Sequence, residues 1–257
     1  MYFDTHAHYD DNRFDPDREA VLADLKNAGV TLVMNIGCDV TTSVQSVKLA
    51  EQYDFVYAAV GTHPHEAEGW KEADAQLYTA LSRRPKVLAI GEIGLDYFYD
   101  NSPREAQRAV FERQLQLAEE LNLPVIIHSR DACEDTMRLV RRYAGRVRGV
   151  FHCFSYGLET AKELIKLGWY LSFTGAITFK NARRALEVVE WAPLNRMFIE
   201  TDSPYLTPEP HRGQRNDSRF VPLVAAKIAE IKGLTPAAVA AATMENGRRF
   251  FGMEDAQ

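Results

Sequence analysis

Six residues with metal-binding side chains lie at the ends of short apolar, β-prone runs. They are His6 and His8 in Asp4-Thr5-His6-Ala7-His8, Glu92 in Ile90-Gly91-Glu92-Ile93-Gly94, and His128 in Val125-Ile126-Ile127-His128. The set is completed by His152 in Val150-Phe151-His152-Cys153-Phe154 and Asp202 in Phe198-Ile199-Glu200-Thr201-Asp202. Residues two apart in a strand face the same way, so His6 and His8 can meet one ion. One ion takes three or four protein ligands, whereas six ligands with water suit two ions bridged by a carboxylate. Any one of these histidines alone reads as structural; five such strand ends together read as a metal site. Four imidazoles with two carboxylates fit neither a pure Mg²⁺ cage nor a closed zinc knot. They fit a catalytic centre with positions open to water and substrate, holding two divalent ions such as Mg, Mn or Zn.

Roles follow from position. Glu92 is central in strand order and has two oxygens to share, which makes it the natural bridge. Asp202 can ligate an ion and accept a proton from bound water, whose pKa falls toward ~7 on zinc. Two ions ~3.5–4 Å apart can stabilise the attacking and leaving oxygens of an in-line displacement at phosphorus. His63, in Gly61-Thr62-His63-Pro64-His65, adds a phosphate donor or general acid, so the catalytic roles fall to Asp202, Glu92 and His63. His65 is equally well structural. Glu200 shares the inward face of Asp202 and is expected to orient a ligand histidine. Asp96 reads as a loop cap. Candidates for gripping substrate phosphates are His63, Arg130, His211, Arg212 and Arg215, since guanidinium forks suit phosphate. Pairing with Asp131 explains Arg130 as well, and a solvated loop explains His211, Arg212 and Arg215.

These residues need a frame. Strand candidates lie near 2–6, 30–36, 55–61, 87–92, 124–128, 147–152, 169–174 and 196–202. Helical patterns fit 17–28, 41–52, 73–83, 103–121, 132–144, 158–167, 181–191 and 217–232, with a last pair at 236–242 and 243–251. The helix at 103–121 opens with Ser102 as N-cap and Pro103 at the first helical position, and Phe111, Leu115, Ala118 and Leu121 form its apolar stripe. Eightfold strand–helix alternation reads as an α/β chain folded as a (β/α)₈ TIM barrel in one domain spanning 1–257. The ligands sit where such barrels place their chemistry. A doubly wound sheet would have to bring five distant strand ends to one crevice. The stretch 203–219 is the longest irregular one, and its place after Asp202 suggests substrate binding.

Bulk properties narrow the function classes. At 257 residues, 46% hydrophobic and 26% charged, the chain has an ordinary globular composition. A net charge of −6 supplies no global field for nucleic acid. Cys38, Cys133 and Cys153 form no C-x-x-C pair, so a reducing compartment is expected, with Cys153 turned away as a small buried hydrophobe. Met1-Tyr2-Phe3-Asp4 begins a strand and lacks the features of a signal peptide. No apolar run approaches the ~18 residues of a membrane span. P-loop, strand-coupled G-x-G-x-x-G and G-x-S-x-G motifs are absent from the sequence.

With those residues in view, the chain resembles the TatD-like metal-dependent deoxyribonucleases, within the wider amidohydrolase-type barrels. The carriers are Asp4-Thr5-His6-Ala7-His8, Gly61-Thr62-His63-Pro64-His65, Gly91-Glu92-Ile93-Gly94-Leu95-Asp96-Tyr97 and Ile127-His128-Ser129-Arg130-Asp131-Ala132. They continue with His152-Cys153-Phe154-Ser155, Glu200-Thr201-Asp202-Ser203-Pro204-Tyr205-Leu206 and Pro210-His211-Arg212-Gly213, in family order across nearly the whole chain. H-x-H alone is weak, but the ordered set is specific. Related barrels often bridge with a carboxylated lysine where this chain has Glu92. The resemblance implies a cytoplasmic metal-dependent hydrolase of the bacterial branch that acts on DNA phosphodiesters. By the family pattern His6, His8 and Asp202 hold one metal, His128 and His152 the other, and Glu92 bridges. Two departures are minor. Thr62 replaces a bulky aliphatic, and Gly247 replaces the usual alanine and is expected to loosen the terminal helix.

Three functions compete on these grounds. The first is a two-metal deoxyribonuclease, exonucleolytic on single-stranded or frayed ends. Its partner is DNA, with no membrane and no obligate protein partner. The acidic net charge favours a pocket that takes an end over a groove that grips a duplex. The second is a hydrolase of carboxyl ester or amide bonds, including aminoacyl-tRNA deacylation. The third is a metal-dependent scaffold, which has no use for open metal positions.

Overall fold

Strand and helix alternate from Tyr2 onward in the computed structural model, which describes residues 1–253; the last four residues of the expected 1–257 domain lie outside the described residues. The strands are β1 (Tyr2–Ala7), β2 (Val30–Ile36), β3 (Val56–Val60), β4 (Val87–Asp96), β5 (Val125–Arg130), β6 (Gly149–Phe151), β7 (Tyr170–Phe173) and β8 (Met197–Ile199). The helices are α1 (Arg18–Asp24), α2 (Val40–Gln52), α3 (Glu72–Leu81), α4 (Arg104–Leu121) and α5 (Cys133–Tyr143). They continue with α6 (Leu158–Lys166), α7 (Arg183–Trp191), α8 (Val221–Lys232) and α9 (Pro236–Phe251). The strands are parallel and ordered β1 to β8 in the sheet, the topology of a (β/α)₈ TIM barrel. No described helix is long and apolar enough to cross a membrane.

The chain divides into two compact units. The first contains residues 1–35, 153–165 and 170 onward; the second contains residues 36–152 and 166–169. In the first unit, α9 packs its aromatic end on the strands. Phe198 lies 5.2 Å from Phe250 and Phe3 lies 5.8 Å from Phe251, ring centre to ring centre. The expected break near 242 does not occur, and α9 runs unbroken through Gly247. A Cβ on Gly247 would stand 2.6 Å from the Phe3 ring, so glycine here makes room for close packing and does not loosen the helix.

In the second unit, α4 buries Phe111, Leu115 and Ala118 as its periodicity predicts, whereas Leu121, at the helix end, is only half-buried. Its start differs from the expectation. Pro103 takes the N-cap position, and Ser102 is used elsewhere: its hydroxyl donates to the His65 carbonyl at 2.7 Å and accepts the Glu68 N–H at 3.1 Å. Strand β4 runs past its predicted end at 92, pairing Gly94 with His128 and Asp96 with Arg130. Gly94, at φ 144°, permits this, because a Cβ there would fall 1.9 Å from the His128 carbonyl oxygen. Glu92 therefore sits mid-strand, with the β4–β5 pairing continuing beyond it.

Candidate metal centre

Each unit carries a histidine–carboxylate cluster. In the first unit His6 lies in β1 and His8 one residue beyond it. Their Nε2 atoms face each other at 3.1 Å, as strand alternation predicts. Asp202 Oδ1 lies 3.7 Å from His6 Nε2 and 3.5 Å from His8 Nε2. Strand β8 ends at Ile199, so Asp202 stands beyond the strand in a left-handed conformation, φ 57°. Two bonds hold it there: its N–H donates to the His6 carbonyl at 2.9 Å, and the His8 N–H donates to the Ser203 carbonyl at 2.8 Å.

Asp4 builds this corner, and the sequence reading gave it no role. It is fully buried. Its carboxylate accepts the Thr201 N–H at 2.9 Å, the Thr201 hydroxyl at 2.6 Å, the Ser218 hydroxyl at 2.6 Å and the His6 N–H at 3.3 Å. Burial pushes the Asp4 carboxyl up to about 7, against the hydrogen bonds from Ser218 and Thr201 that favour its charged form. Glu200, also buried, accepts the Cys153 N–H at 2.7 Å and the Thr5 hydroxyl at 3.4 Å. It therefore sets the backbone immediately after His152. Cys153 itself is half-buried at φ 43°, 3.4 Å from the Thr174 hydroxyl, and is not the buried hydrophobe expected.

In the second unit Glu92 Oε1 is surrounded by imidazoles. His128 Nδ1 lies 2.8 Å away, His152 Nε2 3.0 Å and His63 Nε2 3.7 Å. His63 thus stands within the cluster itself. Behind it, Asp96 Oδ2 meets both His128 Nε2 and His65 Nε2 at 3.0 Å. An Nε2–H donated to Asp96 leaves the His128 Nδ1 lone pair on the Glu92 side, the tautomer a metal ligand needs. Burial works against a charged His128, but Asp96 and Glu92 outweigh it and raise its pKa; the pocket favours a cation. Burial would likewise raise Asp96, yet the hydrogen bonds from His128 and His65 and from the Tyr99 amide hold it well below the usual carboxylate range. Asp96 is a loop cap as expected, accepting the Phe98 and Tyr99 N–H groups at 2.9 Å each, but it also orients two histidines. His65 is tied to it accordingly.

In both clusters the donor atoms lie within a few tenths of an ångström of the spacing that ligands of one ion adopt. Ligands ~2.0–2.1 Å from one ion lie roughly 3–3.5 Å from each other. The separations are 3.1, 3.5 and 3.7 Å in the first unit, and 2.8, 3.0 and 3.7 Å about Glu92 in the second.

The arginines named as phosphate grips are less uniform. Arg215 is committed elsewhere, which corrects the expectation for it: it holds Asp17 through two bonds of 2.8 and 2.7 Å, donates to the Arg13 carbonyl at 2.6 Å and stacks 4.5 Å above Phe14. Arg212 stacks 4.3 Å above Phe179, and the His211 ring lies 4.8 Å from that of Phe220. Arg130 stacks 3.9 Å above Phe98.

The sequence matches the TatD-related DNase family over residues 3–252. The chain belongs to that family. It is therefore a metal-dependent hydrolase of the TatD type. A Bacillus subtilis relative, the uncharacterized metal-dependent hydrolase YabD, is 45% identical across 98% of this chain and 99% of its own length. The Escherichia coli K12 protein named 3'-5' ssDNA/RNA exonuclease TatD is 35% identical across 98% of this chain and 99% of its own. Among solved structures, the TatD homologue YJJV of Escherichia coli K12 superposes with a TM-score of 0.92 at 33% identity, covering 98% of both chains. A Saccharomyces cerevisiae amidohydrolase shares the TatD-type fold with a TM-score of 0.86 at 18% identity, covering 97% of this chain and 99% of its own.

Proposed function

We propose that this TatD-family hydrolase cleaves phosphodiester bonds of DNA, removing nucleotides from single-stranded or frayed ends, with two divalent ions at its histidine–carboxylate clusters. The full 1–257 chain acts as one catalytic domain. In this reading His6, His8 and Asp202 would hold one ion, and Glu92, His128 and His152 would hold the other. Ligand spacing carries the reading, in a chain 35% identical to a protein named as a single-strand exonuclease. The ions, when bound, supply positive charge to the scissile phosphate and lower the pKa of water. Asp202, partly exposed, accepts the proton that the hydrolytic water gives up. His63 donates to a phosphate oxygen, and Asp96 keeps His128 in its ligating tautomer. Four imidazoles favour Mn or Zn over Mg. The net charge of −6 suits a site that takes a strand end.

The test pairs metal analysis with a substrate panel. Protein purified without chelator is expected to hold close to two transition-metal ions and to degrade labelled single-stranded DNA. Failure to bind Zn, Mn, Ni or Fe at micromolar concentrations overturns the metal assignment. Hydrolysis of aminoacyl-tRNA or carboxyl esters with DNA left intact overturns the nuclease assignment.

A further inference from the structure

Six large apolar or aromatic residues stand exposed among those described: Met1, Phe98, Tyr99, Trp191, Tyr205 and Leu234. Two of them, Tyr99 and Tyr205, lie beside histidines at the clusters, and Phe98 packs against Tyr99. In the second unit, the Tyr99 ring lies 5.5 Å from His65, and Phe98 packs edge-on at 4.9 Å from Tyr99. In the first unit, Tyr205 lies 6.5 Å from His8. Each of these residues is about half exposed: 55% for Phe98, 56% for Tyr99 and 48% for Tyr205.

These rings are not on loose loops. Asp96, which binds His65 and His128 through one oxygen, uses the other to accept the Phe98 and Tyr99 N–H groups. The Tyr205 N–H donates to the Asp202 carbonyl at 2.8 Å. Residues that belong to the clusters thus also fix the exposed rings. Each ring system is backed by a guanidinium: Arg130 lies 3.9 Å above Phe98 and 4.8 Å above Tyr99, and Arg13 lies 4.2 Å above Tyr205. Pre-positioned aromatic faces beside fixed cations match a flat π system carried on an anionic backbone.

We propose that Phe98 and Tyr99, and separately Tyr205, are stacking surfaces for the unpaired bases of a single-stranded nucleic acid. The inference rests on the nuclease reading above and names how the strand is gripped. Such surfaces accept every base, because every base has a π face. They exclude a duplex, whose bases are already stacked. Arg130 adds positive charge beside the stacked base.

The test compares two phosphorothioate strands that resist cleavage, equal in length and charge. One carries bases and the other is abasic. Binding to the protein as purified is read by fluorescence anisotropy. The parent should bind the base-bearing strand more tightly, by roughly five- to a hundredfold per stacked base. F98A and Y99A should lose that preference in part while binding the abasic strand as the parent does; F98W and Y99F should retain it. Y205A reports on the second surface in the same way. Equal parent affinity for both strands, or equal losses on both in the variants, overturns the stacking assignment. If unmodified DNA is still cleaved in that case, the nuclease reading survives. A parent that neither binds nor cleaves any strand overturns both.

Discussion

Replacing Asp4 should damage the first cluster without touching a ligand. Its carboxylate gathers four buried donors: the Thr201 amide, the Thr201 and Ser218 hydroxyls and the His6 amide. In Asp4→Ala the hydroxyls can turn, but the Thr201 and His6 amides cannot. An orphaned buried donor costs about 1–3 kcal/mol, and the space left by the carboxylate adds to that. A total near ~3 kcal/mol should lower Tm by roughly 6–12 °C in a chain of this size. Asp4→Asn keeps an oxygen for the Thr201 amide, and both hydroxyls can accept from its NH₂, so its loss should be smaller. The assay is thermal denaturation by circular dichroism, once with chelator and once with excess Mn²⁺ or Zn²⁺. The chelator series reads the intrinsic loss. The metal-induced rise in Tm reads how well His6 and Asp202 still converge, since binding to the folded state stabilises it by mass action. Asp4→Ala should show both a lower Tm and a smaller metal-induced rise. A variant melting within about 2 °C of the parent, with an unchanged metal response, would refute Asp4 as the residue that positions this corner.

Gly247→Ala sets two effects against each other: about 1 kcal/mol gained in helix propensity against about 1–3 kcal/mol of overpacking on the Phe3 ring. The variant should therefore melt a few degrees lower, with Phe3→Leu restoring the loss, and a higher Tm for Gly247→Ala alone would contradict the packing argument. Arg215→Ala should leave the salt dependence of single-strand binding unchanged, because its guanidinium is held by Asp17 and the Arg13 carbonyl. A log–log slope flattened by about 0.7 would instead place it on a phosphate. Glu92→Ala should lower bound metal and activity more than His63→Ala, because three histidines gather on one Glu92 oxygen. The His63 variant should lose about 10²–10³ in rate, by analogy with single oxyanion donors, and should keep most of its metal; metal analysis beside kinetics separates the two.

What could be read from the sequence depended on where the information lies. Parallel barrel strands are continuous apolar runs, so all eight were legible, and the histidines and carboxylates proposed as ligands stand on or just after strands, as their sequence positions suggest. His6 and His8 needed only the two-residue period of a strand to be paired. The misreadings have a common cause. The strand near 87–92 was read too short: β4 continues because Gly94 clears the His128 carbonyl on the neighbouring strand. Asp4 looked idle because its partners Thr201 and Ser218 come 197 and 214 residues later. Arg215 looked available because Asp17 precedes it by 198 residues. Tyr97-Phe98-Tyr99, three aromatic residues directly after the strand that carries Glu92, had no role in the sequence reading. A role fixed by backbone position is written locally, as period and strand end. A role fixed by the tip of a long or buried polar side chain is decided by whichever donor the fold brings to it. For this chain, that distinction separates the clustered histidines from Asp4, Asp96 and the arginines around them.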